Sequence, residues 1–503
     1  TTGTEDPRPT LRRTDRPTTL PLSPAQQRLW FLDGMEQGAV YNVPITLTLR
    51  GEVNGTALAE ALGDLIGRHE ALRTRFPAHD GQPAQVITPA DEARAAFVLR
   101  RTDCSAGGTA DGAADGTADR TAALVAAAAG YRFDLASDLL LRADLLSVSA
   151  TEHTLVLVLH HIAGDGWSMG PLLRDLAQAY RSRVERGCAP AWDELPVQYA
   201  DYTLWQRELL GDESDPDSAF RRQVDYWTKQ LADVPEEPAL PSDRPRPAVA
   251  SHRGGLLSVR TGPELHAGLL ELARSRRVTL FMVLQAALAT TLTRFGAGTD
   301  LPIGSPVAGR TDEALDEVVG FFVNTLVLRT DTSGDPTFAE LLDRVRETDL
   351  AAYAHQDIPF DRLVEVVQPA RSLARHPLFQ VMLALQNVQQ AEFSLPGVEV
   401  ESAPVATGSA KFDLMVATAE NQDTAGRPLG LTLAVEYATD LFDASTAERL
   451  TDGLLRVLES AVAGADARLS AFEVMSVEER HQVLDGWNDT TAPYPADRSV
   501  QQL

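Results

Sequence analysis

Cysteine is nearly absent from this sequence. The 503 residues contain two, Cys104 and Cys188, which cannot build a disulfide framework or a four-thiolate zinc site. Basic residues are also scarce, with 45 Lys and Arg against 71 Asp and Glu, so the formal net charge is −26. Such an acidic surface repels nucleic-acid phosphates and anionic lipids. We therefore expect neither nucleic acid nor a membrane as a partner, and the two thiols fit a reducing cytoplasm.

Long hydrophobic runs and the common nucleotide motifs are missing as well. The most apolar stretch, residues 280–292, is too short to cross a bilayer of roughly 30 Å. Residues 1–19 have no apolar core and cannot act as a signal peptide, so we expect a soluble, cytoplasmic protein. No GxxxxGK[ST] loop, GxGxxG fingerprint or paired CxxC spacing occurs. ATP, dinucleotide and structural zinc sites therefore lose their usual support.

The composition is that of a globular protein longer than one ordinary domain. Hydrophobic residues make up 44% and charged residues 23% of the chain, and its length fits about three domains of average size. Helix and strand patterns mix throughout, which predicts an α/β or α+β class. A polar head covers residues 1–17, a Pro-, Gly- and acid-rich region follows residue 190, and a polar tail covers 471–503. We predict two lobes between them, 18–190 and 191–470.

Several segments carry clear local signals. Ser23 and Gln26 form a capping-box pattern, which predicts a helix beginning just after Ser23. The apolar runs 153–161 and 320–330 predict extended, buried strands, whereas 278–296 predicts a long buried helix. Residues 105–119 consist entirely of Gly, Ala, Asp, Ser and Thr. This composition buries little apolar surface, so we expect a mobile surface loop there.

A histidine doublet follows directly on the first predicted strand. The sequence HHIAGDG occupies residues 160–166. Neighbouring side chains on a strand point to opposite faces, so His160 and His161 should diverge and at most one faces a given cavity. A neutral imidazole at a strand end, beside a helix start, is a reasonable base or hydrogen-bond acceptor for a nucleophile.

The residues after the doublet suggest a tight turn. Gly164 and Gly166 allow the backbone to bend sharply and to approach a ligand closely, and Ser168 can cap the next helix. Three interpretations compete. The histidines could be satisfied core residues, they could bind a metal together with Asp165, or one could catalyse acyl transfer. The metal site is disfavoured because the two rings diverge and no second ligand cluster occurs. The run as a whole favours acyl transfer.

HHIAGDGWS resembles the HHxxxDG signature of the condensation domains of nonribosomal peptide synthetases, which belong to the chloramphenicol acetyltransferase-like superfamily. Other segments look like the family's further characteristic segments and occur in the family's order, namely residues 23–32, 68–76, 199–205, 320–329, 355–361 and 371–380. The tail WNDTTAPYP, residues 487–495, looks like the start of a linker into an adenylation domain.

The resemblance implies a fold and a reaction. The fold would be α/β, with two chloramphenicol acetyltransferase-like lobes in a V and an active-site tunnel between them. A donor peptidyl thioester and an acceptor aminoacyl thioester would enter from opposite faces. Each would arrive on the 4′-phosphopantetheine arm of an upstream or downstream carrier protein, and the acceptor amine would attack the donor thioester. An adjacent adenylation domain would be the further partner.

The resemblance also implies residue roles. His161, the second histidine, would be the catalytic residue, either as a general base or by orienting the amine. His160 would support it. Asp165 would be structural and pair with Arg310 from the other lobe, which would set the turn that presents His161.

The two glycines and the cofactors follow the same resemblance. Gly164 and Gly166 would keep the tunnel open at its narrowest point. The domain itself would bind no cofactor and no metal, because its substrates arrive on the carrier-protein arms.

The segments YNVP and GFFVNT, at residues 41–44 and 320–325, resemble condensation domains that accept an L-configured donor and an L-configured acceptor. Two other functions stay open. One is a stand-alone acyltransferase of the same superfamily that uses coenzyme A or a free amine. The other is a catalytically silent module that recruits enzymes to carrier-bound peptides.

Overall fold

The computed structural model describes residues 8–35, 39–105, 113–386, 393–403, 408–423, 425–491, 499 and 501. Within these ranges, the α-helices are Pro24–Met35 (α1), Gly55–Arg68 (α2), Ala90–Ala96 (α3), Ala113–Ala129 (α4), Met169–Arg186 (α5), Tyr199–Leu210 (α6), Ala219–Gln230 (α7), Pro263–Arg276 (α8), Leu280–Arg294 (α9), Phe338–Tyr353 (α10), Phe360–Val367 (α11), Ala444–Ala463 (α12) and Val477–His481 (α13).

The β-strands in the same ranges are Asn42–Gly51 (β1), Thr74–Arg75 (β2), Ala78–His79 (β3), Gln82–Pro83 (β4), Val86–Ile87 (β5), Leu99–Asp103 (β6), Leu141–Ser147 (β7), Glu152–His160 (β8), Gly254–Arg260 (β9), Asp300–Val307 (β10), Asn324–Asp331 (β11), Val381–Gln386 (β12), Val398–Ala403 (β13), Leu414–Gln422 (β14) and Pro428–Ala438 (β15). β2 pairs with β5 and β3 with β4, as two small ribbons beside the main sheets.

The first sheet has five strands in the order β13-β1-β8-β7-β6. β8 lies between β1 and β7 and is antiparallel to both, and its last residue, His160, pairs with Asn42 of β1. β6 joins as a parallel edge strand beside β7. The other edge strand, β13, comes from the C-terminal half of the chain and is antiparallel to β1. The chain therefore returns to the first sheet late, while the lobe bounds 18–190 and 191–470 stay predictions.

The second sheet has six strands in the order β11-β10-β12-β14-β15-β9. β10, β12 and β14 run parallel to one another. At one edge β11 is antiparallel to β10, and on the other side β15 is antiparallel to β14 and β9 to β15. The long helix predicted for residues 278–296 is confirmed as α9, of which Leu280 to Leu292 are buried except Phe281. It packs into the core of this sheet because it is apolar on nearly every side. The structure is thus mixed α/β, as predicted.

Two elements carry the site, and the sequence predicts both. The apolar run that predicts a strand is confirmed as β8, whose Leu155 to Leu159 are at most 1% exposed. At α1, the main-chain N–H of Ser23 donates to Gln26 Oε1, and the N–H of Gln26 donates to Ser23 Oγ, both at 3.1 Å. This is the predicted capping box. α1 contacts the turn that follows β8 and also α11.

Two local expectations need correction. The loop expected over 105–119 is wrong from Ala113 onward, because α4 begins there; alanine, the strongest helix former, dominates its composition. Residues 106–112 lie outside the described ranges. The strand expected over 320–330 begins only at Asn324, because Asp165 binds main-chain N–H groups just before it. The tail over 471–503 stays a prediction. It contains the short helix α13, and most of residues 492–503 lie outside the described ranges.

Every helix within the described ranges is too short or too polar to span the hydrocarbon core of a membrane.

Candidate active site

The histidine doublet lies where β8 ends and the chain turns. His160 is the last strand residue, and His161 is the first residue of a 3₁₀ turn that ends at Ala163. The buried His160 ring accepts the N–H of Ile162 at Nδ1, over 3.2 Å. Its Nε2 lies 3.5 Å from a carboxylate oxygen of Asp33. The two rings point in different directions, as predicted. The prediction placed both residues on the strand, whereas in the structure His161 already belongs to the turn.

His161 is held by main chain and by one aromatic ring. Its N–H donates to the carbonyl of Tyr41 at 2.8 Å, and its ring meets that of Phe321 edge-on, with centroids 4.9 Å apart. The side chain is partly exposed, whereas its Nδ1 is buried and has no hydrogen-bond partner among the described residues. Burial lowers the pKa of His161 most, the positive charge of Lys411 lowers it further, and the resulting pKa is about 3. The imidazole is therefore neutral at physiological pH.

Asp165 is 1% exposed and uses both carboxylate oxygens. Oδ1 accepts the main-chain N–H and the hydroxyl of Ser168, each at 2.9 Å. Oδ2 accepts the main-chain N–H groups of Phe322 at 2.8 Å and Val323 at 3.2 Å. Nη2 of Arg310 lies 3.6 Å from Oδ1. The expected pairing with Arg310 is thus at ion-pair distance, but the shorter contacts of Asp165 are hydrogen bonds to main chain and to Ser168.

Arg310 closes a neighbouring turn at the same time. Its Nη1 donates to the carbonyl of Val318 at 2.9 Å and to that of Leu315. Nη2 donates to Ser168 Oγ at 3.1 Å, and the guanidinium lies over the ring of Phe322, 4.3 Å from its centroid. Arg310 is therefore a buried cross-link rather than a surface arginine, since its side chain is 7% exposed.

Ser168 has a role that the sequence does not suggest. Ser168 is the residue just before α5, and the sequence predicts that it caps this helix. Its side chain makes no capping hydrogen bond. Its hydroxyl oxygen instead accepts the N–H of Gly320 at 3.1 Å and lies 2.8 Å from the carbonyl of the same residue. Ser168 thus ties the turn after β8 to the segment that carries Phe321.

Tyr199 is the second residue that sequence reasoning missed. It begins α6, is 2% exposed, and its hydroxyl donates to the carbonyl of Phe321 at 2.7 Å. The same hydroxyl lies 2.8 Å from Ser23 Oγ, at the start of α1. A Cβ on Gly320 would lie 2.2 Å from the Tyr199 ring. The sequence gives one signal for this tyrosine, the family-like segment 199–205, and that resemblance implies no role for Tyr199.

The two glycines of the turn do not require unusual backbone angles. Gly164 is extended, with φ −174°, and Gly166 does not have a positive φ. A Cβ on Gly164 would meet the end of the Leu159 side chain at 2.5 Å, and one on Gly166 would meet nothing within 4 Å. The expected sharp turn therefore has another basis, the hydrogen bonds of Asp165. That the glycines keep a tunnel open stays a prediction.

The three side chains considered as metal ligands point to different neighbours. His160 points toward Asp33, His161 toward Phe321, and Asp165 toward main-chain N–H groups. Across the part of the chain that the structure describes, no three His, Cys, Asp or Glu side chains are grouped as metal ligands. The three residues that this interpretation named therefore do not converge.

Comparisons with known proteins agree on one family. The family model named "Condensation domain" matches residues 17–484. A probable nonribosomal peptide synthetase of Salinispora arenicola, CymA, is 50% identical over 497 residues, 97% of this chain and 6% of the relative. A dimodular nonribosomal peptide synthase of Bacillus subtilis is 48% identical over 488 residues, 97% of this chain and 20% of the relative. The chain thus spans a small part of both relatives.

A solved structure is also similar over nearly its whole length. It is a complex of the X-domain and OxyB from teicoplanin biosynthesis, and its matching chain is 34% identical to this one with a TM-score of 0.82. The match covers 93% of this chain and 99% of that chain. The two-sheet architecture is therefore shared with an independently solved protein.

Proposed function

Because the chain belongs to the condensation-domain family and has its chloramphenicol acetyltransferase-like fold, we propose that it forms peptide bonds between carrier-bound thioesters. The acceptor α-amine attacks the carbonyl carbon of the donor thioester. A C–N bond forms, the C–S bond breaks, and the donor arm leaves as a thiol that takes up the proton lost by the amine. The lengthened peptide stays on the acceptor arm.

His161 is the residue that we assign to this step. The observation that carries the assignment is a neutral, partly exposed imidazole with an edge-on aromatic neighbour, at the turn of an intact His-His-x-x-x-Asp-Gly run. A base works best when its pKa is near the working pH, so an imidazole with a pKa of about 3 is poorly matched to taking a proton fully. It is suited to accepting a hydrogen bond and orienting the amine.

The amine itself needs little help in losing its proton. An α-amino group has a pKa of about 7.7–8.0, so a useful fraction is already neutral near pH 7. The remaining site residues would hold the geometry. His160 would fix the first position of the turn, and Asp165 with Arg310 would fix the second half of it.

The partners follow from the family. Donor and acceptor carrier proteins would bring the substrates on phosphopantetheine arms through a tunnel between lobes arranged in a V, past Gly164 and Gly166. The domain would bind no cofactor or metal of its own. An adenylation domain would follow residues 471–503, and the compartment would be the cytoplasm. We also assign the L-donor, L-acceptor subtype, on the segments 41–44 and 320–325.

A second candidate function is recruitment without catalysis. The solved neighbour with a TM-score of 0.82 is described in a complex with a second protein, OxyB. A similar surface on this chain would bind a partner enzyme and leave the carrier-bound peptide unchanged. The intact His161 run favours catalysis, because a silent module does not need it.

A reconstituted transfer assay separates the two functions. The chain is incubated with a donor-loaded and an acceptor-loaded carrier protein, and the mass of each intact carrier is followed. Condensation predicts that the donor mass moves to the acceptor carrier and that the donor arm becomes a free thiol. Carrier binding without transfer, over several unrelated donor and acceptor pairs, would favour recruitment instead.

A further inference from the structure

The loop formed by residues 320–323 is bonded to the turn after β8 and carries the Phe321 ring that contacts His161. Side chains from earlier in the chain bind its main-chain groups at three points. Ser168 contacts the N–H and the carbonyl of Gly320, and Asp165 accepts the N–H groups of residues 322 and 323. The carbonyl between them, that of Phe321, accepts from Tyr199. The first and last of these contacts fix the ends of the loop, and Tyr199 fixes the residue whose ring meets His161.

The hydrogen bonds of Tyr199 can be assigned a direction. The N–H of Gln26 donates to Ser23 Oγ, so the hydroxyl hydrogen of Ser23 is available to the Tyr199 oxygen. The hydrogen of Tyr199 then goes to the carbonyl of Phe321. Ser23 is 0% and Tyr199 2% exposed, so water cannot replace either bond without opening the interior. The start of α1 is thereby connected through α6 to the 320–323 loop.

We propose that Tyr199 is a positioning residue of this site: its hydroxyl holds the Phe321 main chain so that the Phe321 ring stays against His161. Tyr199 does not touch the reacting atoms and acts through Phe321. The inference rests on the proposed function, because positioning matters for the reaction only where His161 contacts the substrate. A displacement of a site group by about 1 Å can slow a reaction as much as 10²-fold.

The matched variants are Tyr199→Phe and Tyr202→Phe. Both remove one hydroxyl from α6 and keep the ring, and the two rings lie 5.5 Å apart in the same aromatic cluster. Tyr199→Phe should lower kcat for peptide transfer on the order of tenfold, with the KM for the acceptor carrier unchanged. Tyr202→Phe should leave both values near those of the wild type. Equal effects of the two variants, or a change in KM alone, would overturn the proposal.

A double-mutant cycle tests the route through Phe321. Phe321→Leu removes the ring but keeps the main-chain carbonyl that accepts from Tyr199. If Tyr199 acts through this ring, Tyr199→Phe causes no further loss of kcat in the Phe321→Leu background. Losses that multiply would show that Tyr199 acts elsewhere and would overturn the inference.

A spectroscopic readout keeps the inference testable without turnover. Proteins labelled with ¹³C at the histidine rings are compared by NMR, and the His161 resonance is identified by its loss in His161→Ala. Tyr199→Phe and Phe321→Leu should both shift that resonance, whereas Tyr202→Phe should not. An unshifted resonance in Tyr199→Phe or in Phe321→Leu would overturn the positioning role. If the variants show these shifts but the wild-type protein transfers no peptide, the proposed function is overturned instead.

Discussion

Asp165→Asn perturbs a buried carboxylate that uses both of its oxygens in hydrogen bonds. The carboxylate accepts four hydrogen bonds, two from Ser168 and two from the N–H groups of Phe322 and Val323, and it lies 3.6 Å from Arg310. An asparagine can match one oxygen. Its NH₂ group must then face either the N–H of Ser168 or the N–H groups of Phe322 and Val323, which are donors themselves. The positive charge of Arg310 also loses its nearest buried counter-charge.

The cheaper orientation of the asparagine places its oxygen toward the 322–323 main chain. The N–H of Ser168 then has no acceptor, at a cost of about 1–3 kcal/mol for a buried donor. The uncompensated Arg310 adds to this by less than the about 3–5 kcal/mol that breaking a buried ion pair can cost, because Arg310 keeps its bonds to the carbonyls of Leu315 and Val318. We therefore expect the two effects together to destabilise the fold by about 3–5 kcal/mol.

Thermal unfolding measures this loss, with Asp144→Asn as the matched control. The unfolding entropy is about 2.1 cal/mol/K per residue, or roughly 1 kcal/mol/K for a chain of 503 residues. A destabilisation of that size therefore lowers the melting temperature by about 3–5 °C. Asp144 lies in the first sheet, on β7. Its Oδ2 is buried without a partner in the described residues, and burial raises its pKa. Asp144→Asn should therefore leave stability unchanged or raise it. A melting temperature of Asp165→Asn within about 1 °C of the wild type would refute the reasoning.

Three further predictions follow from titration and packing. The pKa of His161 is about 3, so this imidazole stays neutral between pH 5.5 and 7. Over that range the transfer rate should fall with pH only as the acceptor amine, with its pKa of about 7.7–8.0, becomes protonated. A second titration near pH 6.5 in the pH–rate profile would contradict this prediction. Burial raises the pKa of Asp349 to about 7, so the folded state loses stability as the pH rises from about 4 to 7. In denaturant titrations, Asp349→Asn should stabilise the fold by up to about 4 kcal/mol at pH 8 and hardly at pH 4. No gain in stability at pH 8 would contradict this prediction. Gly320→Ala places a Cβ 2.2 Å from the Tyr199 ring and should cost about 1–3 kcal/mol in the same titrations, whereas Gly166→Ala, with open space around it, should be neutral; equal costs would contradict the packing argument.

The local parts of the site could be predicted because their signals are local. The capping box at Ser23 uses residues three apart, and β8 is a continuous apolar run that ends at the histidine doublet. The divergence of His160 and His161 was predicted from strand geometry, although in the structure His161 already belongs to the turn after β8. The family resemblance added Arg310 as a partner of Asp165, a contact across 145 residues that no local pattern suggests.

The remaining contacts could not be predicted, for a physical reason. Tyr199 and Phe321 are 122 residues apart, and Asp165 and Phe322 are 157 apart. In both cases a side chain binds a main-chain group, and every residue other than proline carries the same main-chain N–H and carbonyl. No residue type in the 320–323 segment therefore marks it as the acceptor or donor of these bonds. Ser168 was misleading because serine before a helix usually caps it.

The central claim is that His161 orients the acceptor amine for peptide transfer. Single-turnover transfer from donor carrier to acceptor carrier tests it most directly, with the wild type, His161→Ala and the control His153→Ala, a buried histidine near the other end of β8. The account predicts that His161→Ala slows transfer on the order of 10²- to 10⁴-fold without weakening carrier binding, and that His153→Ala keeps the wild-type rate. Transfer by His161→Ala at the wild-type rate would contradict the claim.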